Sequence, residues 1–282
     1  MPKRKRVAFQ GELGAFSQLA IHQLLGDQVE PVPCQWFDIV FRTLAAGEVD
    51  AAVIPIENTL HGSVHENYDH LLNFGMPIVG ETQVRISHTL IACPGVPLRD
   101  VKTVYSHPVA LNQCMKFFRD NPQFERATFY DTAGSVKMLM NENRRDAAAI
   151  AGAIAAETYG AKILKRNLED DRANFTRFFL LTPPGARPEP TQAKQWKTSL
   201  AFTVRNSPGA LFRALATLAL RDISLAKIES RPLRGKPFEY LFYLDFLGKA
   251  DDDRSQKALG HLAELADSLH VLGTYPQWEQ KR

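Results

Sequence analysis

Cysteine is scarce in this chain, with three in 282 residues. Cys34, Cys93 and Cys114 form no CxxC pair and are odd in number, which argues against a disulfide framework and a zinc site. They read as small buried hydrophobes of a reducing compartment. Long apolar runs are missing too. Nothing approaches the roughly 18 to 20 residues of a bilayer span, and the start, MPKRKR then VAFQG, has no apolar signal core. The expectation is a cytoplasmic protein with no membrane partner. Neither sign of charge is in excess. The formal net charge is +3, but Lys3, Arg4, Lys5 and Arg6 are four of the 34 basic residues and leave 30 against 31 acidic ones. No basic stripe interleaved with aromatics follows, so nucleic acid is not an expected partner. Gly and Pro, at 17 each, are too few for a disordered or collagen-like chain.

The clearest break in what is present is TPPGARPEPTQAKQ, read as a linker over residues 183–195. Before it, residues 1–182 alternate short β-rich runs with helical patterns. These are RVAFQ, a helix over 16–25, AAVIP, VKTVY, a helix over 109–118, RATFY, a helix over 134–140, and AAAIA. Such alternation predicts an α/β fold with parallel sheet. The apolar stretch MPIVGETQVRISHTLIAC suggests strands crossing between two lobes, with a ligand cleft between them. After the linker, residues 196–282 read as βαββαβ, a ferredoxin-like arrangement. KTSLAFTVR alternates Leu200, Phe202 and Val204, and Asn206-Ser207-Pro208 predicts a capped helix start. ISLAKIES and FEYLFYLDF follow as strands around the RPLRGKP turn, the second with Phe238, Tyr240, Phe242, Leu244 and Phe246 on one face. A helix over 255–269 and the strand HVLGTYP close the chain.

Three strand-to-helix junctions stand out as candidate anion sites, because a helix start offers free N–H groups and a positive dipole end. They are Gly11 to Ser17, Tyr105 to Pro108, and Tyr130 to Ser135. The first is GxxG, neither a dinucleotide fingerprint nor a P-loop. Three independent capping turns would look the same, whereas convergence beyond the strand ends would make one site for a small anion. Gln113 stands about 200 degrees from Leu111 on its helix, facing solvent or cleft. In IPIENT a strand runs into Glu57 and Asn58, with Asn58 able to donate and accept. NFTRFFLL sets Thr176 beside Arg177, where alternation sends the two side chains opposite ways unless the backbone bends. His61, His65, His70, His88 and His107 lack metal spacing and read as capping or surface residues.

Taken together, GELGAFS, PIENTLHGSV, SHPVALNQC, DTAGS and NFTRFFLL occur in the order of the prephenate dehydratases, which the chain resembles from about Val7 to Pro276. NSPGALF with KIESRP resembles the phenylalanine-binding ACT domain that follows in that family. The resemblance implies a two-lobed, periplasmic-binding-protein-like catalytic domain and an ACT regulatory domain. The implied activity is the cofactor-free and metal-free conversion of prephenate to phenylpyruvate. By motif, Thr176 is the essential hydroxyl and Arg177 the grip on a substrate carboxylate. Asn58, Ser106 and Gln113 are polar cleft residues, with Ser17, Thr132 and Ser135 as further contacts. Asn206, Pro208, Gly209, Ala210, Leu211 and Phe212 would meet Glu229, Ser230, Arg231 and Pro232 across a subunit interface to bind L-phenylalanine, implying a feedback-regulated homodimer or homotetramer. Gln18, Val109 and Thr59 depart from the usual family residues. Two alternatives stand beside this one: an arogenate dehydratase, and a non-catalytic amino-acid-sensing binding protein.

Overall fold

The computed structural model describes residues 4–186, 193–233 and 239–279. Phe238, with part of the RPLRGKP turn and part of the linker, lies outside the described residues. By its contacts the chain divides into two units. One comprises the chain to His70 with Thr82–Leu180; the other comprises Leu71–Glu81 with the chain from Leu181 onward.

In chain order the elements to Leu181 are β1 (Lys5–Gln10), α1 (Phe16–Leu25), β2 (Val29–Cys34), α2 (Phe37–Ala45), β3 (Ala51–Asn58), β4 (Gly62–Ser63), α3 (His65–Phe74), β5 (Ile78–Arg85), β6 (Thr89–Ala92), β7 (Thr103–Ser106), α4 (Pro108–Asn112), α5 (Met115–Asp120), β8 (Glu125–Thr128), α6 (Thr132–Asn141), β9 (Ala147–Ala151), α7 (Ala153–Tyr159), β10 (Lys162–Lys165) and β11 (Phe175–Leu181). One sheet runs β2-β1-β3-β11-β5, with β4 beside β3, and a second runs β10-β6-β9-β7-β8. Val7, Ala8 and Phe9 of β1, Ala51 to Ile54 of β3 and all five residues of β9 are shut off from solvent. Strands covered on both faces need such continuous small or branched apolar runs.

The chain crosses from the first sheet to the second between β5 and β6 and returns between β10 and β11, giving two lobes. The crossings are stitched together. The Glu169 carboxylate accepts from the His88 N–H at 2.8 Å and from Arg85 at 3.0 Å, while Ile86 N–H donates to the Asn174 carbonyl and Leu168 N–H to that of His88. The expectation of parallel sheet needs correcting. β1 pairs parallel with β2 and β3, and β7 with β8 and β9, but β6 is antiparallel to β9 and to β10. β6 enters the second lobe directly from the crossing, without the helical crossover that a parallel neighbour requires.

The helix expected over 109–118 is two helices. Asp170 ends the first and begins the second: its N–H donates to the Gln113 carbonyl at 2.7 Å, and its carboxylate oxygens accept from Met115 and Lys116 N–H at 2.9 Å each. This side-chain cap lies 55 positions away in sequence, beyond the reach of local pattern.

Beyond Leu181 come β12 (Trp196–Thr203), α8 (Ala210–Ala219), β13 (Leu225–Pro232), β14 (Tyr240–Leu247), α9 (Asp253–Leu265) and β15 (Ser268–Pro276). The sheet order is β13-β14-β12-β15, with β13–β14, β14–β12 and β12–β15 all antiparallel. Leu200, Phe202, Phe242, Leu244 and Phe246 pack with Ala214, Leu218, Ala258 and Leu262 of the two helices. The other face of β12 is buried as well. Lys197 is 2.7 Å from Glu81, and the Ser199 hydroxyl lies between Asp245 and Tyr275. Three further expectations change. α8 starts at Ala210, behind Gly209 in the left-handed region and without a side-chain cap, rather than at the Asn206-Ser207-Pro208 turn. α9 ends at Leu265, which puts Leu269 in β15. Tyr240, expected on the packed face, is 42% exposed.

Candidate active site

The three helix starts meet at one cavity of about 320 Å³ in the first unit. Phe16 and Ser17 of α1, His107, Val109 and Ala110 around the start of α4, and Asp131 and Thr132 at the start of α6 all line it. Ile86 and His88 come from the crossing between β5 and β6, Thr176 and Phe178 from β11, and Asn58 and Gln113 complete the polar wall. Two close features join the lobes beside it. Gly14 has φ +86°, and a Cβ there would sit 2.8 Å from the Ala155 Cα of α7, so only glycine allows the approach. Glu12 receives the Tyr130 hydroxyl and the Lys137 ammonium, each at 2.8 Å. Burial alone would raise the Glu12 carboxyl, but those bonds outweigh it and hold it below its ordinary value.

Thr176 is set by Asn58. The Asn58 amide nitrogen donates to Asn174 Oδ1 at 2.8 Å, the Phe175 carbonyl at 3.1 Å and Thr176 Oγ1 at 3.0 Å, while its oxygen accepts from Leu60 and His61 N–H at 3.0 Å each. That donor takes one lone pair of Thr176 Oγ1, which lines the cavity and keeps a hydroxyl hydrogen it can donate there. Arg177 goes the other way. β11 runs unbroken, Thr176 and Phe178 line the cavity, and Arg177 lies against the Phe179 ring with its guanidinium carbon 4.8 Å from the centroid. Its Nη1 is 4.0 Å from Glu57. Arg177 is thus not among the residues that line this cavity, and strand alternation sets it on the face of β11 opposite Thr176.

Ser106 and Ser135 are also not brought to the cavity. Both are fully buried. The Ser106 hydroxyl donates to the Ile150 carbonyl, and that of Ser135 to the Thr132 carbonyl at 2.6 Å. Sequence reasoning missed His88 and Asp131 as cavity residues. Asp131 was visible only as a cap, and it does cap α6, its Oδ1 accepting from Gly134 N–H at 2.7 Å. Burial raises its carboxyl above the ordinary value, and it is the one acidic or basic carboxylate, ammonium or guanidinium group among the described lining residues. Burial likewise lowers His88 and His107. Among the described residues, no three His, Cys, Asp or Glu side chains cluster as a metal site would require.

The second unit holds a smaller cavity of about 180 Å³, lined by Asn206, Gly209, Ala210, Leu211 and Phe212 with Tyr240 and Phe242. Pro208 adjoins it in sequence without lining it. Glu229, Ser230, Arg231 and Pro232 lie on β13 at the edge of the sheet and do not line it either, so within one chain the two expected halves of an effector site stay apart.

A profile of the prephenate dehydratase family matches residues 7–185. The chain is 44% identical to arogenate dehydratase/prephenate dehydratase 2, chloroplastic, of Arabidopsis thaliana, over 97% of this chain and 73% of that one. It is 43% identical to arogenate dehydratase 2 of Petunia hybrida, over 97% and 72%. Among solved structures it is similar to a prephenate dehydratase from Arthrobacter aurescens in complex with L-Phe, with TM-score 0.86, 32% identity, and coverage of 96% of this chain and 90% of that one. It is also similar to GqqA, described as a novel type of quorum quenching acylase, with TM-score 0.89, 33% identity, and coverage of 99% and 100%.

Proposed function

We propose, from the premise that the chain belongs to the prephenate dehydratase family, that it converts prephenate to phenylpyruvate with loss of water and carbon dioxide. The bond from the ring to its carboxylate breaks, its electron pair enters the ring, and the opposite C–O bond releases hydroxide, which becomes water on taking a proton. The observation that carries this reading is the Thr176 hydroxyl, which lines the cavity and accepts from Asn58 at 3.0 Å, so that its own hydrogen can be donated to a ligand there. An alcohol is too weak an acid to protonate the leaving group outright, so Thr176 acts by a hydrogen bond aimed at the charge developing on oxygen. Phe16, Val64, Ile86, Val109 and Phe178 make the walls apolar, and a poorly solvated ring carboxylate departs more easily as neutral carbon dioxide. With Arg177 stacked on Phe179, the second carboxylate is left to the N–H groups at the start of α1, which has no side-chain cap, whereas Asp131 already caps α6. Incubation with prephenate, following phenylpyruvate by ultraviolet absorbance, is the test. Product formation above buffer is expected, and its absence rejects the reading, as does amide hydrolysis without any dehydration.

A second reading, arogenate as substrate, is favoured by Asp131. A lone carboxylate in a cavity with no lysine, arginine or second carboxylate among its described lining residues suits the ammonium that arogenate carries in place of a keto oxygen. Asp131→Asn keeps the helix cap and removes the charge, so it should lower kcat/KM for arogenate about tenfold and spare prephenate. Equal losses on both substrates would remove Asp131 from the choice.

The same proposal takes the second unit as an ACT domain that binds L-phenylalanine for feedback, in a homodimer or homotetramer. The cavity beside α8 supplies one half of the site and Glu229 to Pro232 of a second copy the other. A purely sensing protein would keep this unit and need no hydroxyl fixed as Thr176 is. Cytoplasmic residence belongs to the proposal as well. No helix among the described residues is long and apolar enough to cross a membrane, and the Arabidopsis relative is named chloroplastic.

A further inference from the structure

His88 is a buried titratable group to which the reaction above gives no task. It is 2% exposed, sits in the crossing between β5 and β6, and lines the cavity. Its backbone is held on both sides, by Glu169 at 2.8 Å and by Leu168 N–H at 3.0 Å, and its ring meets the edge of Phe16 with centroids 5.8 Å apart. Nε2 lies 2.8 Å from Oε1 of Gln113. With the Gln113 amide in this orientation its oxygen can only accept, which assigns the hydrogen to Nε2. Nδ1 has no partner among the described residues. A neutral ring protonated on Nε2 leaves a bare nitrogen there, and burial, which lowers the His88 pKa, keeps the ring neutral.

The consequence falls on Gln113. A glutamine amide at a cavity wall can present oxygen or NH₂ by a half-turn of its last torsion, an acceptor in one case and a donor in the other. Gln113 is not free to choose. Its backbone is pinned at the break between α4 and α5 by Asp170, and its oxygen is committed to His88. The amide N–H groups are what remain for a ligand. We infer that His88 is a positioning residue that locks Gln113 as a hydrogen-bond donor, so that the cavity accepts a ligand with a carboxylate, carbonyl or hydroxyl oxygen at that point and rejects one presenting a donor. The kinetic consequence rests on the dehydratase reading; the lock itself does not.

Two measurements test it. Long-range ¹H–¹⁵N correlation in ¹⁵N-histidine-labelled protein, assigned by comparison with His88→Gln, should show a neutral His88 ring protonated on Nε2. A ring protonated on Nδ1, or one exchanging freely between forms, overturns the lock whether or not the enzyme is active. The kinetic arm uses two amides of different length. His88→Gln puts an N–H donor near the position of Nε2, and His88→Asn puts one near Nδ1, out of reach of Gln113. His88→Asn should raise KM by about 10- to 100-fold, the size of a lost hydrogen bond to a charged oxygen, with a smaller change in kcat. His88→Gln should recover KM to within about threefold, and in a Gln113→Ala background His88→Asn should add less than about twofold. Equal losses in the Gln and Asn variants, or full additivity with Gln113→Ala, would make His88 a space-filling residue and overturn the inference. If the wild type turns over neither prephenate nor arogenate, the dehydratase reading falls, and the tautomer measurement alone decides the lock.

Discussion

In the first unit, Thr176 and Gln113 reach the cavity with one polar end already committed, to Asn58 and to His88. The cavity of the second unit is lined by the Asn206–Gly209 turn, the start of α8 and a Phe212 that is 75% exposed. The difference fits the roles proposed for the two cavities, catalysis in the first and effector binding in the second. Groups that stabilise charge forming in a transition state must be oriented before the ligand arrives, because turning them during the reaction costs the energy they were meant to supply. A regulatory site has no such requirement. It needs only to bind better in one state than in another, and a wall supplied by a second copy makes binding report on assembly. On the proposed reading, the exposed Phe212 and the β13 edge are where that wall would meet.

The widest separation between the two cavities comes from Thr176→Ala. It should lower kcat by about 10² to 10⁴, the usual range for a general-acid or equivalent hydrogen-bonding group, while L-phenylalanine binding stays within about twofold. Turnover near wild type would remove the hydroxyl from the chemistry. Phe212→Ala should do the reverse. Its L-phenylalanine Kd, read by isothermal titration, should rise about tenfold, a typical cost of truncating an aromatic anchor, with kcat/KM for dehydration unchanged in the absence of effector. No L-phenylalanine binding by the wild type would end the comparison on the second-unit side.

Arg177 tests how the two faces of β11 divide their labour. The sequence placed Thr176 and Arg177 in one motif, and the resemblance assigned both to the ligand. The alternation of a strand already stood against that, and β11 keeps to the alternation because it runs straight through both residues. Arg177→Lys should therefore leave KM within about twofold and lower the unfolding free energy by about 0.5–2 kcal/mol through the lost stacking on Phe179. A large rise in KM with unchanged stability would put the guanidinium back on the ligand. Other parts were legible for the same kind of local reason. β1, β3 and β9 are apolar runs that read as buried strands, and α1 spans the residues that its periodicity predicted. What local pattern does not encode is a partner far along the chain. Asp170 splitting a helix, Asn174 and Thr176 meeting Asn58, and His88 meeting Gln113 are all contacts between residues at least 25 positions apart.

The smallest effect is carried by protons. In the folded chain the His88 ring is held below its ordinary value by burial, against the opposing influence of Gln113 and Glu169. His107, which lines the same cavity and accepts the Val109 N–H through Nδ1, is lowered by burial too. In the unfolded chain both titrate near 6.5. Below that pH the unfolded chain binds protons that the folded chain refuses, so stability is fully present above about 6.5 and is lost as pH falls toward the folded values. Each group contributes at most about 1.4 kcal/mol per pH unit inside its window. Asp131 has the opposite sign, since its raised carboxyl holds a proton that the unfolded chain gives up above 3.8, and its contribution weakens as pH rises from there. Urea unfolding of wild type and His88→Gln, compared from about pH 5 to pH 8, isolates the histidine. The wild type should lose stability relative to the variant on acidification below about 6.5, with a constant offset above it. An offset constant across the whole range would mean that His88 is not neutral in the folded chain, and would break the link between its burial and the fixed Gln113 amide.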